Sequence, residues 1–173
     1  ALAWDQFQAA DNMTDSQAAL ACLVELDVPQ RAEALAEFHD RWAHDALVID
    51  KWFTVQAASS MAGGGRRMRE LASHPDFSLA NPNRARSLLF VFPVMNPAGF
   101  HEADGSGYTF LADNILAIDA NNPQLAARLV GPFLLWRRYD QERGDLMKSE
   151  LERLRSASDL SKNTLEIGTR ALS

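Results

Sequence analysis

Apolar residues recur along most of the chain at the three- and four-residue spacing of an amphipathic helix. The spacing is clear at Leu20, Leu23 and Val24, and it returns at Leu151 and Leu154. No segment shows the alternation of apolar and polar residues that a half-buried strand requires. The pattern therefore predicts an all-α protein built from about ten short helices joined by tight turns.

Three Asn-Pro pairs, at residues 81–82, 96–97 and 122–123, mark three successive helix starts. In each pair the asparagine can cap the helix, and the proline can occupy the first helical position, where its missing N–H is harmless. At an earlier helix start, Thr14 and Gln17 are expected to form a capping box. These short helices are expected to pair as antiparallel hairpins and to stack as an α-α superhelix, a fragment of a HEAT- or armadillo-like solenoid.

A glycine triplet at residues 63–65 precedes Arg66 and Arg67 and invites comparison with a phosphate-binding loop. Such a loop needs a Lys-Ser/Thr pair after its last glycine and a strand before its first, and the sequence provides neither. We therefore interpret the triplet as a flexible loop before a helix over residues 66–73.

The length of 173 residues suits a single domain, 1–173, with residues 1–10 expected to be a linker or the end of a preceding helix. The net charge of -6 argues against binding to nucleic acid, and no apolar run approaches the roughly 20 residues that span a bilayer.

The lone Cys22 lies in an apolar helical run and is expected in the core. Because the chain begins without Met, we expect it to be part of something longer.

The histidines do not form a recognisable metal site. A zinc peptidase needs His-Glu-x-x-His, but His101-Glu102 is not followed by a second histidine. His39 and His44 are five residues apart, the wrong spacing for one helical face, and His74 stands alone. We interpret each histidine as a surface or capping residue, and the chain as lacking a catalytic residue, a metal site or a self-sufficient active site.

Four polar residues stand out as candidates for binding: Arg84, Arg86, Gln124 and Arg128. Gln124 and Arg128 are one helical turn apart and therefore point the same way. Arg86 lies on a different face of its helix from the neighbouring leucines. Guanidinium groups offer planar sets of donors for a carboxylate or a peptide carbonyl, but the residues alone equally allow a solvated helix surface.

Several segments resemble, in register, the carboxy-terminal domain of bacterial aminopeptidase N, a family of zinc-dependent aminopeptidases. They are Asp-Asn-Met-Thr-Asp at 11–15, Asp-Lys-Trp-Phe at 50–53, Asn-Pro-Asn-Arg-Ala-Arg-Ser-Leu at 81–88, Asn-Pro-Ala-Gly-Phe-His-Glu-Ala-Asp-Gly-Ser-Gly-Tyr at 96–108, and Asn-Asn-Pro-Gln-Leu-Ala-Ala-Arg-Leu at 121–129. The resemblance runs from about residue 11 to the last helix. It implies that this chain is the last part of a superhelical domain in a larger enzyme.

The resemblance also implies a function. The helical domain of the family closes the catalytic chamber, while the Zn²⁺ ligands and the catalytic residues lie upstream in the same cytoplasmic polypeptide. Residues resembling the chamber lining fall at Arg86, Gln124 and Arg128, which are expected to contact peptide substrates. The alternative is a free-standing helical scaffold that binds a protein partner.

Overall fold

A computed structural model describes residues 2–173, and this part of the chain contains helices and no strands. Its twelve α-helices are α1 (Leu2–Ala9), α2 (Met13–Val24), α3 (Pro29–Trp42), α4 (Ala46–Ala58), α5 (Gly64–Ala72), α6 (Pro82–Leu89), α7 (Val91–Met95), α8 (Pro97–Phe100), α9 (Ser106–Asp119), α10 (Pro123–Leu129), α11 (Gln141–Arg155) and α12 (Lys162–Leu172). Two 3₁₀ segments lie at Ser60–Ala62 and Gly131–Arg138. The predicted all-α class is confirmed.

The three Asn-Pro pairs begin helices as predicted. The side-chain oxygen of Asn81 accepts the backbone N–H groups of Asn83 and Arg84, and Asn96 and Asn122 cap α8 and α10 in the same manner. Proline occupies the first helical position each time. Each such cap provides an acceptor for N–H groups that have no partner within the helix. A cap of this kind typically stabilises the folded protein by about 1 kcal/mol.

Two predictions about α2 are wrong. Its cap is Asn12, whose side-chain oxygen accepts the backbone N–H of Asp15 at 2.9 Å, so Thr14 lies inside the first turn and forms no capping box. Cys22 is exposed, because the face of α2 that enters the core carries Ala19, Leu20 and Leu23. A run of apolar residues identified the helix without identifying which of its residues point outward.

The helices pack in a chain of neighbours around one continuous core. Helices α1 to α4 pack on one another, α4 packs on α6 and α7, and α5 packs along α9. At the other end α9 packs on α10 and α11, and α12 lies against both of these. The largest fully buried side chains come from all parts of this array: Tyr108, Phe7, Phe38, Phe53, Phe92, Phe100, Phe110 and Phe133.

The glycine triplet does not form a flexible loop, because Gly64 and Gly65 are the first residues of α5. Gly63 and Gly64 have φ angles of +69° and +54°, a region that other residues rarely adopt. A Cβ on Gly65 would lie 2.2 Å from the backbone oxygen of Ser106. These glycines therefore let the start of α5 approach the turn before α9 more closely than any side chain would allow.

We expect Gly65→Ala to lower the free energy of unfolding by about 1–3 kcal/mol, since the added methyl group must displace backbone atoms. Urea denaturation of the purified chain measures the change. The matched control is Gly168→Ala in the interior of α12, where an added Cβ meets nothing within 4 Å. That variant should be as stable as the wild type or about 0.5–1 kcal/mol more stable. Equal stability of the two variants would contradict the close approach.

Candidate functional site

Helix α10 presents two of the predicted binding residues on one face. Its start is fixed by Asn122, whose side-chain oxygen accepts the backbone N–H of Leu125 at 3.0 Å. From this start Leu125 and Leu129 point into the core, while Gln124 and Arg128 are exposed. The shared direction inferred from their spacing is therefore present.

Gln124 and Arg128 line an open groove of about 530 Å³, to which α12 contributes Asn163, Glu166 and Ile167. We call it the α10–α12 groove. Its polar lining consists of one guanidinium, two carboxamides and one carboxylate. Guanidinium and carboxamide N–H groups can donate to carbonyl or carboxylate oxygens, and the carboxylate and carboxamide oxygens can accept N–H groups. The lining can therefore bind both the N–H groups and the carbonyl groups of an extended peptide backbone.

The donors of the α10–α12 groove are not already committed to the protein. Arg128 takes part in none of the ion pairs found among residues 2–173. The side chain of Gln124 likewise makes no hydrogen bond to another described residue. Both side chains can accordingly bind an incoming group without first giving up an internal partner.

A buried carboxylate holds α12 in place beside α10. Asp119, at the end of α9, is only 2% exposed. Its oxygens accept the backbone N–H of Ser161, the Ser161 hydroxyl at 2.7 Å and the Thr164 hydroxyl at 2.5 Å. Because these donors belong to the start of α12, the carboxylate fixes that helix end and also suits the positive end of its dipole.

Arg86, the third predicted residue, lies on α6 and does not belong to the residues that line the α10–α12 groove. Its side chain is exposed and has one long contact, 3.4 Å from Nη1 to Asn83 Oδ1. Its neighbour Arg84 is buried and structural, since Nε donates to Asp50 Oδ1 at 2.5 Å and Nη2 donates to the carbonyl of Ala46 at 3.1 Å. The structure thus brings two of the three predicted residues into one groove.

A second polar cluster consists of His39, His74 and Asp76, which we call the histidine–aspartate cluster. His39 Nε2 lies 2.6 Å from Asp76 Oδ2, and His74 Nδ1 lies 3.7 Å from the same oxygen. Both imidazole rings pack against Trp52 with centroids 5.0 Å apart. Burial lowers the pKa of His74, and the nearby His39 and Arg84 lower it further, against the opposing effect of Asp76. Sequence spacing missed this cluster because His39, on α3, lies far along the chain from His74 and Asp76.

His101 packs against two tyrosines. Its Nδ1 lies 2.8 Å from the hydroxyl of Tyr108, and its ring stacks on Tyr139 with centroids 4.1 Å apart. Burial, helped by the Arg143 guanidinium, lowers the pKa of His101, and burial raises the pKa of Tyr108 to about 12. These groups form a packed polar contact that favours the neutral imidazole.

Several established proteins resemble the chain. The family described as "Domain of unknown function (DUF3458_C) ARM repeats" matches residues 1–173. The chain belongs to this family. The match also confirms the armadillo-like fold predicted from the sequence.

The chain is 48% identical over 166 residues to aminopeptidase N of Caulobacter vibrioides and 42% identical over 167 residues to aminopeptidase N of Escherichia coli. Each alignment covers 96% of this chain but 19% of the relative. A crystal structure of Legionella pneumophila aminopeptidase A in complex with aspartic acid is 34% identical with a TM-score of 0.89, and the match covers 99% of this chain and 20% of that one. The resemblance to the carboxy-terminal domain of aminopeptidase N is confirmed, and the chain spans about a fifth of these enzymes.

No helix within residues 2–173 is both long enough and apolar enough to cross a membrane.

The neutral state of His101 predicts a dependence of stability on pH. The unfolded imidazole binds a proton as the pH falls below about 6.5, whereas the folded one, with its lowered pKa, binds it only at lower pH. The unfolded state then carries more protons, so the free energy of unfolding should decrease as the pH falls from about 7 to 5. In His101→Gln the decrease should be smaller, as measured by urea denaturation at several pH values. Identical pH slopes for the two proteins would contradict this account.

Proposed function

We propose that this chain is the chamber-closing carboxy-terminal domain of a cytoplasmic zinc aminopeptidase that removes amino-terminal residues from peptides. The support is that nearly the whole chain aligns with a fifth of the length of proteins named aminopeptidases. The remaining four fifths of those relatives offer room for the catalytic machinery. The upstream catalytic domain of the same polypeptide is then the first partner of this chain.

The pair His101-Glu102 does not offer a site for the catalytic zinc of the proposed enzyme, as the sequence already indicated. His101 is held by Tyr108 and Tyr139, and the sequence provides no second histidine one turn later. We therefore assign the zinc and the group that activates water to the part of the enzyme outside this chain. The isolated chain should accordingly have no aminopeptidase activity.

The α10–α12 groove is proposed to bind the part of a peptide that lies beyond the bond being cleaved. The observation that carries this proposal is the uncommitted pair of Gln124 and Arg128, which share the groove with Asn163. A guanidinium and a carboxamide can hold a carbonyl or the free carboxylate of a peptide. Such contacts bring no reacting group to the scissile bond. They would therefore affect the binding of longer substrates more than the chemical step.

Arg86 is proposed as a separate contact, because it does not line the α10–α12 groove. A peptide that reached both sites would have to extend from α10 to the exposed face of α6. The alternative of a free-standing protein-binding scaffold would use the same exposed donors. The alignment over a fifth of known aminopeptidases favours the enzyme.

Arg128→Ala in the complete polypeptide should raise KM for longer peptides by about fivefold to thirtyfold, the equivalent of about 1–2 kcal/mol for a partly solvated, charge-assisted hydrogen bond. The KM for an aminoacyl amide with a chromogenic leaving group should change much less, because such a substrate is too short to reach the groove. Arg86→Ala should likewise raise KM for longer peptides more than KM for the aminoacyl amide. Steady-state kinetics with both substrate types measures the effect.

The matched control is Arg66→Ala, which removes an exposed guanidinium that lines a different groove. This variant should leave KM for both substrate types unchanged. If Arg128→Ala affects long and short substrates equally, the proposed contact with the distal part of the peptide is wrong.

A further inference from the structure

We propose that His39, His74 and Asp76 form a binding site for one divalent transition metal ion of the Zn²⁺ type. The site is distinct from the α10–α12 groove and from the catalytic zinc of the proposed enzyme. Two imidazoles and one carboxylate are a ligand set that zinc accepts, with water as the fourth ligand. The inference depends on the positions of these three side chains and not on the proposed function.

The three ligand atoms are already close enough to share one ion. One ring nitrogen from each histidine and one carboxylate oxygen of Asp76 all lie within 4.8 Å of one another. The distance of 3.7 Å between His74 Nδ1 and Asp76 Oδ2 is near the roughly 3.4 Å that separates two ligands of a tetrahedral zinc ion. The 2.6 Å contact between His39 Nε2 and Asp76 Oδ2 is a hydrogen bond. A bound ion would replace the proton of this hydrogen bond and lengthen the distance between the nitrogen and the oxygen by less than about 1 Å.

The surrounding side chains hold the ligands in position. His39 lies on α3, while His74 and Asp76 lie in the connection between α5 and α6. Arg84 donates to the backbone carbonyl of Asp76 and to the carboxylate of Asp50, so that the connection is fixed to α4. Trp52 supports both rings and is itself held by its Nε1–H, which donates to the carbonyl of Leu35.

Outer contacts also favour an ion. Asp40 Oδ1 lies 3.7 Å from His39 Nδ1, the ring nitrogen that does not face Asp76, and its exposed carboxylate adds a weak, solvent-screened attraction for a cation. The side chain of Asp76 is 41% exposed, which leaves an open side for water and for entry of the ion.

Two interactions limit the affinity of the site. The backbone N–H of Asp76 donates to His74 Nδ1 at 3.2 Å, and binding of the ion must replace this hydrogen bond. The Arg84 guanidinium also lies close enough to oppose an added positive charge. We therefore infer that the site binds zinc less tightly than it would if its ligands had no competing partners. Once filled, it would tie α3 to the connection before α6 and stabilise the folded state by mass action.

The test counts bound zinc by equilibrium dialysis of the complete polypeptide at about 10 µM free zinc, followed by elemental analysis. Relative to the wild type, His39→Ala and Asp76→Asn should each lose about one zinc equivalent. The affinity for that equivalent should fall by more than about tenfold. Asp76→Asn has nearly the same shape as the wild type and retains an oxygen that can face His39. Loss of zinc in this variant therefore does not depend on disrupting the fold.

The control is His44→Ala, which removes an exposed histidine outside the cluster and should keep the wild-type zinc count. As a second measurement, added zinc should raise the melting temperature of the wild type and of His44→Ala, but not that of Asp76→Asn. The test compares the zinc bound by each variant with the zinc bound by the wild type. A catalytic zinc that is lost equally from all of them would therefore not change the result. Equal zinc counts and equal thermal shifts in all four proteins would overturn the site.

Discussion

The position of the last helix depends on one buried carboxylate. Asp119 is buried, and its oxygens accept the backbone N–H of Ser161 and the hydroxyls of Ser161 and Thr164. Displacing the start of helix α12 would therefore break all three of these hydrogen bonds at once. The α10–α12 groove follows directly, because one of its walls is α12 and the other is the capped helix α10.

The polar residues of the chain divide according to whether their hydrogen-bonding groups are already used. Arg84 is buried, and its donors are taken by Asp50 and by backbone carbonyls, so it stabilises the packing of α6 on α4. Arg128 is exposed and belongs to no ion pair among the described residues, so it is available for an external group. Two arginines with equal chemistry thus differ in whether their donors are already bound, and burial decides the difference.

Local features of the sequence predicted much of the fold. The Asn-Pro pairs fixed three helix starts, because an asparagine cap and a proline in the first turn act within four residues. Cys22 was misplaced because the limits of the apolar face of α2 are set by what packs on it. The glycine triplet was wrongly interpreted as a flexible loop. The need for glycine there comes from the close approach of Gly65 to the backbone of Ser106, which lies far along the chain. The same limit hid the histidine–aspartate cluster, because His39 on α3 meets His74 and Asp76 only in the folded chain.

We propose that the α10–α12 groove holds the distal part of a peptide substrate. A crystal structure of the complete polypeptide with a long, non-hydrolysable peptide would reveal whether the peptide lies there. We expect a peptide carbonyl or carboxylate within hydrogen-bond distance of Arg128 or Gln124. A peptide that passes elsewhere, or a groove filled by another segment of the same polypeptide, would contradict it.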